Sequence, residues 1–286
     1  MAAFPSAGAN SAANFISEVW SKKLQAKFYA STVLPQVSNT DYEGEISGQG
    51  NKVIIRTVPD VTVADYTGSI SYADLTTTKV ELNIDKAKSY AFKVDDVVKA
   101  QSNFDYWNAA AQDAAESMKI AVETDVFTNI VTTFTPTAVD ATSTTSANIL
   151  GRILDAGQTL DENNIPETGR FIILSPQYVN LLKQSDLKDA SLAGDGTSML
   201  RNGRVGMIDR FTVYMSNNLY KPASGTDANK THTIYGHPKA MSFASQFTNT
   251  ETVRLESTFG DGVRGLKVYG YKTVVPTAGG VIKFSV

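Results

Sequence analysis

Histidine is the first residue type to weigh for chemistry, because its side chain changes charge near neutral pH. The chain has two, His232 and His237, on either side of a short strand pattern at 233–235. They do not form a His-Glu-x-x-His pair, and no carboxylate sits at ligand spacing beside them, so a metal site is not expected. His237 precedes Pro238, which makes it extended. Both read as ordinary surface or turn histidines. No Gly-x-Ser-x-Gly elbow supports Ser–His–Asp hydrolysis. The chain has no cysteine, which excludes disulfides, thiolate metal sites and a thiol nucleophile.

The remaining candidates are weak for physical reasons. Gly194-Asp-Gly196 lacks the lysine of a phosphate loop and the third glycine of a dinucleotide fingerprint. Asp186, Asp189 and Asp195 miss the spacing of a calcium loop. Asp95 and Asp96 are adjacent, so their side chains point apart and do not make an acid/base dyad. Asn229-Lys-Thr231 matches a glycosylation triplet, a pattern common by chance. The expectation is therefore no catalytic residue, no cofactor-binding residue, no metal ligand and no enzymatic activity.

What remains is architecture. Alternating apolar residues mark strands at 79–85 (Val80, Leu82, Ile84) and 89–94 (Tyr90, Phe92, Val94), with residues 86–88 breaking the phase. Ser102-Asn-Phe-Asp105 then fits a capping box. Trp107, Ala111, Ala114, Met118, Val122, Val126, Ile130 and Phe134 follow at intervals of three and four. The spacing predicts one helix running to Pro136, about 30 residues and about 45 Å long, beyond the usual globular range. Upstream, Ile16, Trp20, Leu24 and Phe28 predict an amphipathic helix over 14–30. Residues 50–85 read as a long hairpin with a polar tip. It either joins a larger sheet or lies on a neighbouring molecule, since a lone two-stranded ribbon is marginal in water.

Residues 136–148 are rich in Thr, Ser and Ala and mark a subdomain joint. Beyond it, Ile149, Ile153, Ala156 and Leu160 predict a helix, and 170–174 a strand. Ser175-Pro176 opens a further helix. Residues 186–206 read as a glycine-containing loop, 211–215 as a strand, 239–245 as a helix, and 252–257, 266–275 and 281–286 as strands. This irregular mixture predicts the α+β class.

Of the 286 residues, 42% are hydrophobic, enough for one large domain or two ordinary ones. A net charge of −3 leaves no basic footprint for tight phosphate binding. No run of 18 apolar residues spans a membrane. Ala7-Gly-Ala9 imitates a signal-cleavage site, but no basic residue precedes it and no apolar block accompanies it. A cytoplasmic site of synthesis and use is expected.

Several stretches resemble the major capsid proteins of tailed bacteriophages, the Hong Kong ninety-seven fold. They are Ser89-Tyr-Ala-Phe-Lys-Val-Asp-Asp96 and Gly169-Arg-Phe-Ile-Ile-Leu-Ser-Pro176 with Tyr178, Leu181 and Leu182. Gly206-Met-Ile-Asp-Arg-Phe-Thr-Val-Tyr-Met-Ser-Asn-Asn218, Arg254-Leu-Glu-Ser257 and Asp261-Gly-Val-Arg-Gly-Leu-Lys-Val-Tyr-Gly270 complete them. The resemblance spans nearly the whole chain and rests on organisation rather than on one motif. It implies an N-terminal arm at 1–45 and an extended hairpin, the E-loop, at 46–88. It implies a P-domain with the spine helix at 89–140, an A-domain at 141–250, and C-terminal strands at 251–286 returning to the P-domain.

The implied function is a shell subunit forming hexameric and pentameric capsomers of an icosahedral head that encloses double-stranded DNA without sequence-specific binding. No long N-terminal extension is present, so a separate scaffolding protein is expected, with a portal and a possible decoration protein. The implied location is the virion capsid, assembled in the cytoplasm of the bacterial host. The alternative on the same fold is an encapsulin-type nanocompartment shell. Hinges are expected at the glycine-rich turns 44–50 and 194–206. Some members of the family join an E-loop lysine to a P-domain asparagine. Lys52 and Lys79 lie in the hairpin region, but neither has an assigned partner or activating carboxylate, so crosslinking is not expected.

Overall fold

A computed structural model describes residues 29–43, 52–57, 77–96, 106–136, 143–185, 206–256 and 259–285, with isolated positions between 59 and 74. In chain order the first elements are α1 (Leu34–Val37), β1 (Lys52–Arg56), β2 (Lys79–Asn83), β3 (Lys86–Asp95) and α2 (Tyr106–Ile130). Next come β4 (Thr135–Pro136), α3 (Ile149–Glu162), β5 (Arg170–Leu174), α4 (Pro176–Lys183), β6 (Met207–Ile208) and β7 (Phe211–Met215). The chain closes with β8 (Thr231–Gly236), β9 (Met241–Arg254), β10 (Gly260–Thr273) and β11 (Gly279–Phe284). Of the predicted helix over 14–30 only residues 29 and 30 are described, and they are not helical; the capping box at 102–105, the loop at 186–205 and the turns at 44–50 and 194–205 lie outside the described residues.

The strands form three sheets. β1 and β2 make a two-stranded ribbon, β3-β10-β9 a three-stranded antiparallel sheet, and β4-β11-β8-β5-β7-β6 a mixed six-stranded sheet. β5 explains the six-stranded sheet. Its Arg-Phe-Ile-Ile-Leu is nearly continuous apolar sequence, the pattern of a strand covered on both faces, and all five residues are buried. Phe171 and Ile173 join Ile234 and Val281 against Val126, Phe127, Ile130 and Phe134 on one side. Ile172 and Leu174 join Tyr235, Ile282 and Phe284 against Ile149, Ile153, Leu160, Tyr178 and Leu182 on the other. The sheet thus lies between the end of the long helix and the α3–α4 pair.

Helix α2 has 25 residues, about 38 Å of rise. Among the stripe positions whose burial is described, Val122, Val126 and Ile130 of the second half are fully buried. Ala111, Ala114 and Met118 are half-buried. The helix stops at Ile130, short of Pro136. The Thr132 and Thr133 hydroxyls donate to the Asn129 and Ile130 carbonyls, each at 2.8 Å, and satisfy end groups that another turn would have used. Thr135–Pro136 then runs parallel beside β11. A proline at position 114 removes a mid-helix hydrogen bond and clashes with the preceding turn. Ala114→Pro is therefore expected to cost about 3 kcal/mol or more, read as a lower urea midpoint of the unassembled subunit.

Two further expectations differ from the structure. The helix expected at 239–245 is a single 3-10 turn, Pro238–Ala240, leading into the fourteen-residue strand β9. Pairing decides this. Met241, Ser242, Phe243 and Ala244 lie opposite Thr273, Lys272, Tyr271 and Gly270 of β10. The C-terminal strands also divide between sheets. β10 runs against β3, whereas β11 pairs with β8 in the six-stranded sheet.

Candidate assembly interface

The hairpin is its own sheet. Lys52 faces Asn83 and Arg56 faces Lys79, and Thr57 N–H donates to the Thr78 carbonyl at 3.1 Å. Alternation along β1 and β2 sorts the side chains by face. Val53, Ile55 and Leu82 are buried with Ile84 against Ala244 of the three-stranded sheet, with Val268 and Val274 packed alongside. Ile54 points to solvent. Farther along the limb Val61, Val63, Tyr66 and Tyr72 are exposed, Val63 and Tyr72 each at 93%. The base is anchored by apolar packing and the distal half presents large apolar groups. The base also needs Gly270, because a Cβ there would meet the backbone carbonyl of Asn83.

A polar node holds the three-stranded sheet to the long helix. The Tyr269 hydroxyl donates to Asp125 Oδ2 at 2.8 Å. Lys86, the first residue of β3, stands 4.0 Å from the same carboxylate and 5.1 Å from the Tyr271 ring centroid. The Tyr271 hydroxyl holds the Lys86 ammonium above its usual pKa, with Asp125 adding to the effect. Burial pushes both tyrosine hydroxyls up. At the other end of the sheet, Asp96 and Asp261 both receive Arg254. These exposed pairs contribute little stability.

Glu123 is a tightly held charge, 1% exposed in the apolar half of α2. Its Oε2 accepts the backbone N–H of Val33 at 2.6 Å and of Leu34 at 2.9 Å. Its Oε1 accepts the Ser216 hydroxyl at 3.0 Å and the Asn218 amide at 2.9 Å. One carboxylate thereby joins the segment entering α1, the spine and the turn after β7. Glu123 stands beside Val122 within the apolar stripe, and that misplaced charge is the one sequence signal for this node.

Arg170 is fully buried in β5. Its guanidinium donates to the Pro166 carbonyl at 2.9 Å and the Ile165 carbonyl at 2.6 Å, and it meets Asp161 at 2.7 Å. Arg170, then Arg210, hold the Asp161 carboxyl below its usual range.

Among the described residues, the weighed chemical groups do not converge on a site. His232 lies in β8 and is 6% exposed, so it is not a surface histidine. His237 caps the following turn, its Nδ1 accepting the Lys239 N–H at 3.2 Å. Asp186, Asp189, Gly194, Asp195 and Gly196 lie outside the described residues. Among the described residues, no three of His, Cys, Asp and Glu could hold a metal together. No described helix is long and apolar enough to cross a membrane.

Burial lowers the pKa of both histidines, and Lys283 depresses His232 further. With folded values below the unfolded ones, the unfolded chain binds protons first as pH falls. Stability is therefore expected to be full above about pH 6.5 and to decline below it. Asp161 and Asp227, both lowered by cationic partners, add a loss in more acid solution. Urea midpoints of the unassembled subunit at about pH 7.5 and about pH 5 measure the effect, and His232→Gln should reduce the difference.

Comparison with known proteins decides what this architecture belongs to. The family model described as phage capsid protein matches residues 77–284. The chain belongs to the phage capsid protein family. A solved structure from Mycobacterium phage Che8 superposes on the capsid protein with a TM-score of 0.84. It is 30% identical and covers 94% of this chain and 97% of its own. The capsid structure of the cyanophage P-SCSP1u has a TM-score of 0.77 at 13% identity, covering 95% of this chain and 94% of that one. The mature capsid of bacteriophage PhiM1 gives 0.72 at 16% identity, with 97% and 94% covered. The last two likenesses speak to the fold alone. No curated protein matches the chain. This α+β chain has the tailed-phage major capsid fold, and its role is to form the phage head shell. Nothing in these matches favours the encapsulin alternative.

Proposed function

We propose that the capsid protein is a non-enzymatic building tile whose limbs are completed by copies of itself. The observation that carries this reading is the hairpin. It is a separate two-stranded sheet, packed at its base and exposing Val61, Val63, Tyr66 and Tyr72 beyond it. Such a ribbon is marginal in water alone, and large exposed apolar groups gain stability when another surface covers them. The half-buried Ala111, Ala114 and Met118 of α2 support the same reading.

In this scheme residues 1–45 are the arm and 46–88 the E-loop. The spine helix with the β3-β10-β9 sheet forms the P-domain. The six-stranded sheet with α3 and α4 forms the A-domain, which takes in β11. Subunits associate as hexamers and pentamers in a closed icosahedral head around double-stranded DNA. The net charge of −3 suits a lining that encloses DNA without gripping it. Assembly takes place in the host cytoplasm with a separate scaffolding protein and a portal, and a decoration protein can attach outside.

Negative-stain microscopy of the expressed protein tests the proposal. Closed polyhedra or capsomer rings are expected, and native particles should yield packaged DNA. A monomer that never assembles in any condition overturns it.

A further inference from the structure

Where the end of the spine meets the six-stranded sheet, a cleft of about 470 Å³ opens between Thr132, Tyr220, Thr226, Asp227, His232 and Lys283. Its volume suits a small ligand. At its wall lies His232, 6% exposed, whose Nδ1 and Nε2 both lack a hydrogen-bond partner among the described residues. The ring is held edge-on to Tyr220, with centroids 5.1 Å apart and planes at 84°. A buried N–H left without an acceptor is costly, and such groups are uncommon in native folds. The imidazole is therefore positioned but unsatisfied.

The charges around it have a definite sign. Lys283 Nζ meets Asp227 Oδ2 at 2.6 Å, and Lys230 Nζ meets Asp227 Oδ1 at 3.3 Å. Two ammonium groups share one carboxylate, which leaves one positive charge in excess beside His232. Thr132 and Thr226 line the same space; the Thr132 hydroxyl is committed to the Asn129 carbonyl, and that of Thr226 can donate a further hydrogen bond.

We propose that this cleft binds an oxyanion, a phosphate or carboxylate group, which accepts a hydrogen bond from His232 and neutralises the excess charge of Lys283 and Lys230. The groups facing the imidazole are Lys283 from β11, Asp227 and Lys230 from the segment before β8, and Tyr220. Without the anion, burial and the field of Lys283 disfavour the imidazolium. A bound anion reverses that balance, so binding strengthens as pH falls and His232 takes up a proton. The anion is either free phosphate or a carboxylate carried by a second copy of the chain. The inference goes beyond the shell reading; its free-phosphate arm stands without that reading, and its neighbouring-subunit arm rests on it.

Nitrogen NMR of full-length protein labelled with 15N-histidine tests the proposal, because the chain has only two histidines. His237→Gln assigns the signals. Adding inorganic phosphate to unassembled subunits should move the His232 ring nitrogens saturably towards imidazolium and raise their titration midpoint. Lys283→Gln, checked for an unchanged fold by circular dichroism, should weaken phosphate binding by about tenfold or more. Sedimented shells washed free of phosphate, measured by solid-state NMR, separate the sources. An imidazolium signal already present assigns the anion to a neighbouring subunit's carboxylate, and one that appears only on adding phosphate assigns it to the free ion. His232 nitrogens unmoved by phosphate in subunits and unchanged in shells overturn the proposal. So does phosphate binding that Lys283→Gln leaves intact. Failure to form shells would count against the shell reading and leave the subunit titration decisive for this one.

Discussion

Glu123→Ala is expected to destabilise the unassembled subunit by about 3–5 kcal/mol, the scale for removing one partner from a buried charged network. The carboxylate serves four donors: the Val33 and Leu34 N–H groups, the Ser216 hydroxyl and the Asn218 amide. Truncation leaves all four without an acceptor in a site that water does not reach, and each buried group left unpaired costs about 1–3 kcal/mol before relaxation. Relaxation at the chain entering α1 keeps the total below the sum. Glu123→Gln keeps one acceptor oxygen but turns an amide N–H₂ towards two existing donors, so it should cost a substantial part of the alanine loss. Urea unfolding with an unchanged slope measures both. An alanine variant within about 1 kcal/mol of the parent, the range of an ordinary surface change, would mean that this node does not hold the three elements together.

The second large effect concerns assembly rather than folding. Replacing residues 58–77 by Asn-Gly leaves the Thr57–Thr78 closing pair in place, with a two-residue turn that antiparallel strands accept. The apolar base, Val53, Ile55, Leu82 and Ile84, is untouched. Subunit stability should therefore change by no more than about 1 kcal/mol, while shells should be absent from negative-stain fields. The two measurements fail separately. Closed shells from the shortened chain would remove the hairpin from the inter-subunit contacts. Loss of the fold would make its distal half part of the core.

Elements whose own residues dictate their period were legible in the sequence. Ile149, Ile153, Ala156 and Leu160 recur at helical spacing and form the buried face of α3. The apolar run at 170–174 is the central strand, and the 52–56 and 79–83 stretches pair as the expected hairpin. Where period was absent, partners decided. Residues 239–245 carry no strong preference, and the ladder with β10 made most of them strand. The helix end at Ile130 was set by two threonine hydroxyls rather than by the proline six residues on.

The polar nodes were legible only in part. A glutamate inside an apolar stripe signals something buried and paired, but its partners lie about 90 residues away in one direction and about 95 in the other, and spacing carries no trace of them. His232 carried no signal at all, since a histidine beside a short strand pattern reads the same whether it faces water or a cleft. Local periodicity and composition thus determined the class, the long spine, the hairpin and the absence of recognisable catalytic motifs, because those properties are written in neighbouring residues. Which strand joins which sheet, where the spine ends and which charges are sealed inside were decided by tertiary packing. Those outcomes depend on desolvation and hydrogen bonding between residues far apart in the chain.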